Sequence, residues 1–259
     1  MRQHLVGGIA LLGQTETLWP ASPVDDGDQQ HFCSTCVFGN LCMPNGYSKD
    51  ALRELHCLVE HVGPFRAGTE IFRSGGEFTA VYSVRAGVVK TVVRDDRGRE
   101  QILGFHTPGE LVGLNAVYGD RYPCNAVAVD TVMVCRFSFP AIATLSAKIP
   151  DLQHTLFKLM AKDIRTAQMG KGDFSAEERF AAFLVNWCER LAERGYSDRR
   201  ISLPMPRGDI ANHLNLAPET VSRVIRRLID EGVLAVDRRD VEVLNKSALR
   251  SYAASLLQR

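Results

Sequence analysis

Cys33, Cys36 and Cys42 put three thiols within ten residues, with gaps of two and five. Thiolates grouped this tightly bind soft metal. Zinc and iron–sulfur clusters both accept them, and either needs a fourth ligand from elsewhere. Gly39 and Asn40 permit the turn that lets three sulfurs converge on one point. The plain alternative is a cysteine-rich segment that holds no metal. The total of seven cysteines is odd, so a disulfide framework does not explain it and a reducing cytoplasm fits better. Cys57 reads as ordinary core within a helix.

A second set of residues suits nucleic acid. Glu219, Ser222, Arg223 and Arg226 recur at helical spacing behind Asn215-Leu-Ala-Pro218. In the major groove arginine can offer two donors to guanine and glutamate can accept from cytosine N4. The opposite face carries Val221, Val224, Ile225, Leu228 and Ile229, expected to point inward. Arg207 opens a shorter helix to Leu214, and Pro218 starts the next one where proline is tolerated. Val233–Val236 and Val241–Leu244 flank Asp237-Arg-Arg-Asp240, a hairpin or wing. Helix, turn, helix and wing together describe a DNA reader, against the plainer reading of a solvated polar helix face.

Other elements must position these residues. Residues 1–30 show neither a helical nor a strand period and read as a mobile tail. Ser48 caps a helix with Leu52, Leu55, Leu58 and Val59 on one face. From Gly63 to about Leu145, short β-rich runs alternate with glycine turns: Thr69–Phe72, Val81–Arg85, Val88–Val93, Gln101–Phe105, Asn125–Val129 and Val132–Phe137. This spacing predicts a sandwich or jelly-roll barrel. In the last run Thr131, Met133, Cys135 and Phe137 share a face by period two, which makes Cys135 a small core residue on that ground alone. Pro150 opens a long helix to about Gln168, and Ser175-Ala-Glu-Glu178 is a capping box for another to about Arg194.

With 259 residues the chain can form two domains, and 45% apolar with 24% charged residues is the composition of an ordinary soluble protein. A net charge of +1 means that nucleic-acid contact must come from a local patch. No run is long enough for a membrane span, and Val6–Gly13 is too short and poorly followed for a signal peptide. A cytoplasmic location is expected.

Taken together, these motifs resemble the CRP/FNR superfamily, and within it the FNR-type oxygen sensors. The resemblance runs over nearly the whole chain from Cys33. It is carried by the Cys33-Cys36-Cys42 spacing, Gly104-Phe-His-Thr-Pro-Gly-Glu-Leu-Val-Gly113, Met133-Val-Cys135, Ala176-Glu-Glu-Arg179 with Ala181-Ala-Phe183, Arg207-Gly-Asp-Ile210 and Glu219-Thr-Val-Ser-Arg223. It implies an α+β chain: a cyclic-nucleotide-binding-like β-roll (jelly roll), a long dimerisation helix and a C-terminal winged helix-turn-helix. The implied organisation is a tail at 1–30, cluster loop and sensor roll at 31–149, dimerisation helix at 150–172 and DNA-binding domain at 173–259.

The resemblance also implies a 4Fe–4S cluster on Cys33, Cys36, Cys42 and Cys135, with neither Cys124 nor Cys57 as the fourth ligand. It implies a homodimer seam along Leu156, Phe157, Met160, Ile164 and Ala167, and contacts with RNA polymerase. Glu219, Ser222 and Arg223 would read a palindrome of TTGAT-like half-sites, flanked by Arg226 and Arg207. Oxygen would degrade the cluster and switch binding off.

This chain departs from the family pattern in places. The stretch around Gly170–Asp173 is shorter, Pro206 and Ala217 stand where threonine caps are common, and Ala167 stands where the family has an acid. Cys124 has no role in the pattern. Arg121 is followed by Tyr122 and not by serine, which argues against a cyclic-nucleotide ligand. Two alternatives remain: a zinc-bound or thiol–disulfide regulator on the same scaffold, and a cupin-like metalloenzyme. The second lacks a two-histidine and carboxylate group on the barrel strands, where His106 stands alone.

Overall fold

The computed structural model describes residues 59–169 and 173–257. The roll is built from β1 (Val59–Phe65), β2 (Glu70–Phe72), β3 (Ala80–Ala86), β4 (Val89–Arg94), β5 (Glu100–His106), β6 (Leu111–Val112), β7 (Asn125–Ala128) and β8 (Val132–Ser138). Two helices follow, α1 (Phe139–Ser146) and α2 (Pro150–Met169). The C-terminal part contains α3 (Ala176–Ala192), β9 (Arg200–Ser202), α4 (Arg207–Leu214), α5 (Pro218–Asp230), β10 (Leu234–Asp237), β11 (Asp240–Val243) and α6 (Lys246–Leu257).

Two antiparallel sheets, ordered β1-β8-β3-β6 and β2-β7-β4-β5, make the roll. All six expected β-rich runs are strands. The apolar side chains between the sheets include Val81, Val84, Val132 and Val134 from one and Phe72, Val89, Ala126 and Ala128 from the other. Ile142 and Leu145 of α1 and Leu152 and Leu156 of α2 complete this core.

Several expectations change. Val59 begins a strand, pairing with Phe137, instead of ending a helix. Leu52, Leu55, Leu58 and Cys57 lie outside the described residues. The roll's expected end at Leu145 falls inside α1. On β8 the inward residues are Val132, Val134 and Phe137, not the whole set Thr131, Met133, Cys135 and Phe137. Both parities of that strand are apolar, so period two could not choose between them. The β-branched valines take the core, and Cys135 is only half-buried.

The capping box of α3 forms as expected: Glu178 N donates to Ser175 Oγ and Ser175 N to Glu178 Oε2. Pro206 and Ala217 give no side-chain cap, as their side chains require. Asn215 ends α4 in the left-handed region, φ 54°, which asparagine tolerates better than other side chains. β10 and β11 form the wing and β9 extends it to three strands.

A second core joins the two parts of the chain. Val88, Val92, Ile102, Phe105 and Val127 from the roll pack with Phe180, Leu184, Ile210 and Leu228 of the C-terminal helices. The β4–β5 face of the roll is therefore the floor on which the reader domain sits. Among the described residues no helix is long and apolar enough to cross a membrane.

Candidate nucleic-acid interface and sensor strand

On α5 the burial follows the helical period. Val221, Val224, Ile225 and Leu228 are buried, which fixes the roll angle of the helix. Glu219, Arg223 and Arg226 are then exposed together and Ser222 is half-buried. Ile229, expected inward, is instead 40% exposed, because the stripe reaches the end of the packed surface one position earlier.

Two arginines of this helix differ in kind. Arg227 is bound by Glu231 at 2.9 Å and Glu177 at 3.0 Å. Arg223 makes no ion pair among the described residues, so its guanidinium is available to a ligand. Arg207, exposed at the start of α4, stands near Arg238 and Arg239 of the wing turn around the mouth of an apolar crevice lined by Leu203, Ile225 and Val236. The wing arginines were not among the expected DNA contacts. Their signal was the Asp237-Arg-Arg-Asp240 turn itself, which the hairpin exposes.

Cys135 lies mid-way along β8, an interior strand held on both edges. Its register partners are His61 on β1 and Ser83 on β3. Cys33, Cys36 and Cys42 lie outside the described residues, and among the described residues no group of three or more His, Cys, Asp or Glu could hold a metal. The donor chemistry available here is one half-buried thiol on a rigid strand. It is next to β1, which begins 17 positions after Cys42, the last cysteine of the clustered segment. A thiophilic group completed by that segment fits this placement.

Cys124 and Cys188 are different. Both are buried. Burial raises the Cys124 thiol, and Asn115 offsets this only weakly from 4.0 Å. Burial, with Asp198 adding to it, pushes Cys188 up to about 11. Both therefore stay protonated and inert near neutral pH.

Among the described residues, aromatic side chains pack inside the roll. Tyr122 stacks on Phe72 with ring centroids 4.0 Å apart, and its hydroxyl donates to Ala80 O at 2.7 Å. Gly113, φ 94°, lets these two rings approach: a Cβ there would lie 3.2 Å from Tyr122 and 3.3 Å from Phe72. Glu110, in the turn before β6, points out of the roll toward Arg190 of α3.

On α2 the expected seam divides. Leu156 is only 9% exposed and packs into the roll, whereas Phe157, Met160 and Ile164 are 60%, 39% and 59% exposed. Leu156 is thus one position round the helix from the stripe it was expected to join, because the roll side of α2 needs it beside Leu152. The side chain of Ala167 lies outside the described ones.

The profile of the Crp-like helix-turn-helix domain matches residues 178–252, and that of the cyclic nucleotide-binding domain matches residues 63–148. The fumarate and nitrate reduction regulatory protein of Vibrio cholerae is 35% identical over 236 residues, covering 90% of this chain and 94% of the relative. Its namesake in Escherichia coli K12 is 37% identical over 224 residues, covering 85% and 90%. This chain belongs to the CRP/FNR family of DNA-binding transcription regulators. The transcriptional activator FnrA of Stutzerimonas stutzeri is 36% identical, covering 88% and 95%. Among solved structures, FixK2 of Bradyrhizobium japonicum superposes with a TM-score of 0.67 at 27% identity, covering 75% of this chain and 96% of that one. The CRP/FNR relatives are transcription regulators, not enzymes, which sets the cupin-like reading aside.

The interface between roll and reader supplies residues that sequence reasoning missed. Arg190 spans from α3 to Glu110, and its guanidinium carbon lies 5.4 Å from the Trp187 ring centroid. The Trp187 indole N–H is buried with no hydrogen-bond partner among the described residues. His106 faces Thr91 at 3.4 Å, and His213 of α4 packs edge-on against Phe105. Burial holds His106 down at about 4, with Arg190 and His213 adding to the effect and Glu110 opposing it. Burial alone would raise Glu110, but the charge and hydrogen bonds of Arg190 hold it down at about 2.

Proposed function

We propose that this regulator is oxygen-responsive, with a 4Fe–4S cluster held by Cys33, Cys36, Cys42 and Cys135. The observation that carries the reading is the place of Cys135. It is a half-buried thiol on an interior strand, in register with β1, the first described strand after the three-cysteine segment. The names of the FNR relatives and the unusual cysteine spacing support it. When bound, such a cluster supplies an oxygen-labile centre whose loss releases the cysteine segment from the roll.

The chain's own residues would do the rest. The exposed Phe157, Met160 and Ile164 stripe offers an apolar face to a second copy, and helical spacing in the sequence carries that stripe on to position 167. A dimer would present two α5 helices to half-sites one helical turn apart, of TTGAT-like sequence by resemblance. Glu219, Ser222 and Arg223 would read base edges, while Arg207 and Arg226, with the wing arginines, meet phosphates. RNA polymerase is the implied partner at the promoter. Tyr122, which follows Arg121 and stacks on Phe72 inside the roll, argues against a cyclic nucleotide in this reading.

Substituting each cysteine by serine and assaying iron, acid-labile sulfide and zinc after anaerobic purification tests the assignment. Cys33, Cys36, Cys42 and Cys135 variants should lose iron and sulfide, and Cys57, Cys124 and Cys188 variants should keep them. A Cys135→Ser protein with a full complement, or wild-type protein carrying zinc without sulfide, sinks the reading.

A further inference from the structure

The Arg190–Glu110 contact is built unlike the surface ion pairs of this chain. Arg190 Nε donates to Glu110 Oε1 at 2.8 Å, and Nη2 donates both to Glu110 Oε2 and to Phe105 O, the latter at 2.6 Å. Both side chains are largely buried. Thr107 adds its backbone N–H at 2.8 Å and its hydroxyl at 3.1 Å to the same carboxylate. A fork held this way has one geometry and does not slide.

The backbone of Glu110 is tied in the opposite direction. Val84 N donates to Glu110 O at 2.9 Å, and Gly109 N donates to Val84 O at 2.7 Å. Val84 sits opposite Val134, and its neighbour Ser83 sits opposite Cys135. A continuous chain of contacts therefore runs from Cys135 across β3 to Glu110, and from Glu110 through Arg190 into α3.

A second set of contacts pins the first helix of the DNA reader. β5 is an edge strand. Asn212 of α4 covers that edge, accepting from Ile102 N at 2.7 Å and donating to Glu100 O at 2.7 Å, as a neighbouring strand would. Lys90 binds Asp209 at 2.7 Å beside it. With α4 docked here, the outward face of α5 stays exposed.

We propose that the Arg190–Glu110 fork is a strut that ties the orientation of the helix-turn-helix to the Cys135 strand, which makes Arg190 a positioning residue for DNA binding. Its signalling role rests on the reading of β8 as the sensing strand; its mechanical role does not. Packed interfaces of this kind hold or release and do not deform gradually, so a small displacement of β8 against β3 is passed on as a change in docking.

The test uses the full chain with Arg190→Gln, Arg190→Lys and Glu110→Gln. Amide exchange reads the mechanical role. In Arg190→Gln, Ile102 and residues 207–214 should exchange faster while β10 and β11 do not change, and Arg190→Lys should fall between. Unchanged exchange at Ile102 and 207–214 in all three variants overturns the strut.

Affinity for a duplex with two TTGAT half-sites, measured by calorimetry with and without the cluster, reads the signalling role. The ratio of the two affinities should fall about tenfold in Arg190→Gln with the dimer fraction unchanged. A ratio within about twofold of wild type overturns that role. If wild-type protein holds no iron or sulfide, the cluster reading fails by itself and the exchange measurement still decides the strut.

Discussion

Arg223 and Arg227 are one helical turn apart on α5, and only Arg227 is tied down, by Glu231 and Glu177. The untied one is the candidate reader. Arg223→Ala should relax the preference at one base position, with about 1–3 kcal/mol of discrimination lost there. Uniform weakening over all sequences would make it a phosphate contact instead. Arg227→Ala should change stability by less than about 1 kcal/mol and leave base preference alone, since exposed pairs contribute little.

His106 gives a pH prediction. Its folded value, about 4, lies below the unfolded value near 6.5, so the unfolded chain binds the extra proton between them. Its contribution is complete above pH 6.5 and is lost as pH falls toward 4, by up to about 2 kcal/mol at pH 5. Glu110 acts lower, losing stability from about pH 4.3 down to about 2. Urea unfolding at pH 7 and pH 5 should show a smaller difference for His106→Gln than for wild type, and equal differences would refute the assignment. None of this was readable from His106 alone in the sequence. The groups that set its proton affinity lie on β5, β6's preceding turn, α3 and α4, and only folding brings them together.

At the scale of elements, α2 has two apolar faces with different partners. Leu152 and Leu156 serve the roll, while Phe157, Met160 and Ile164 are left exposed among the described residues. Ile164→Glu should shift sedimentation toward monomer, because two like charges would meet across a symmetric seam. Cluster-free protein should retain measurable dimer, since Ala167 stands where the family pattern has an acid and Asp163, one turn back, would replace that acid only in part. Ala167→Asp should lower it. A strictly monomeric cluster-free protein at every concentration would contradict this.

Helices with a full stripe, such as α5, were legible because the 3.6-residue period is long enough to exclude a strand. The partners within a helix stripe were less so, as Leu156 shows: neighbouring apolar residues at 156 and 157 leave the face ambiguous by one position. α6 was missed although Asn245 signals its start, its side chain accepting from Ala248 N at 3.0 Å. The small residues Ala248, Ala253 and Ala254 make its stripe faint. β1 was missed because Val59 continues the helix-like spacing of the leucines before it.

For the whole molecule, the roll and reader were each foreshadowed by local patterns, but their junction was not. Asn212 and Ile102 are 110 positions apart, and no period or motif links them. The junction nevertheless carries a buried core shared by both parts, so the orientation of α5 is a property of the complete chain. Trp187 lies in that junction, against Arg190 and with no partner for its N–H among the described residues. Trp19 is the other of the chain's two tryptophans. A Trp19→Phe chain would thus carry one natural optical reporter, whose emission colour depends on whether water reaches the indole. Air admitted to an anaerobic sample should move its emission maximum to longer wavelength as the junction loosens. A maximum that stays fixed while DNA affinity falls would mean that the junction remains shut and that the switch acts through the dimer alone.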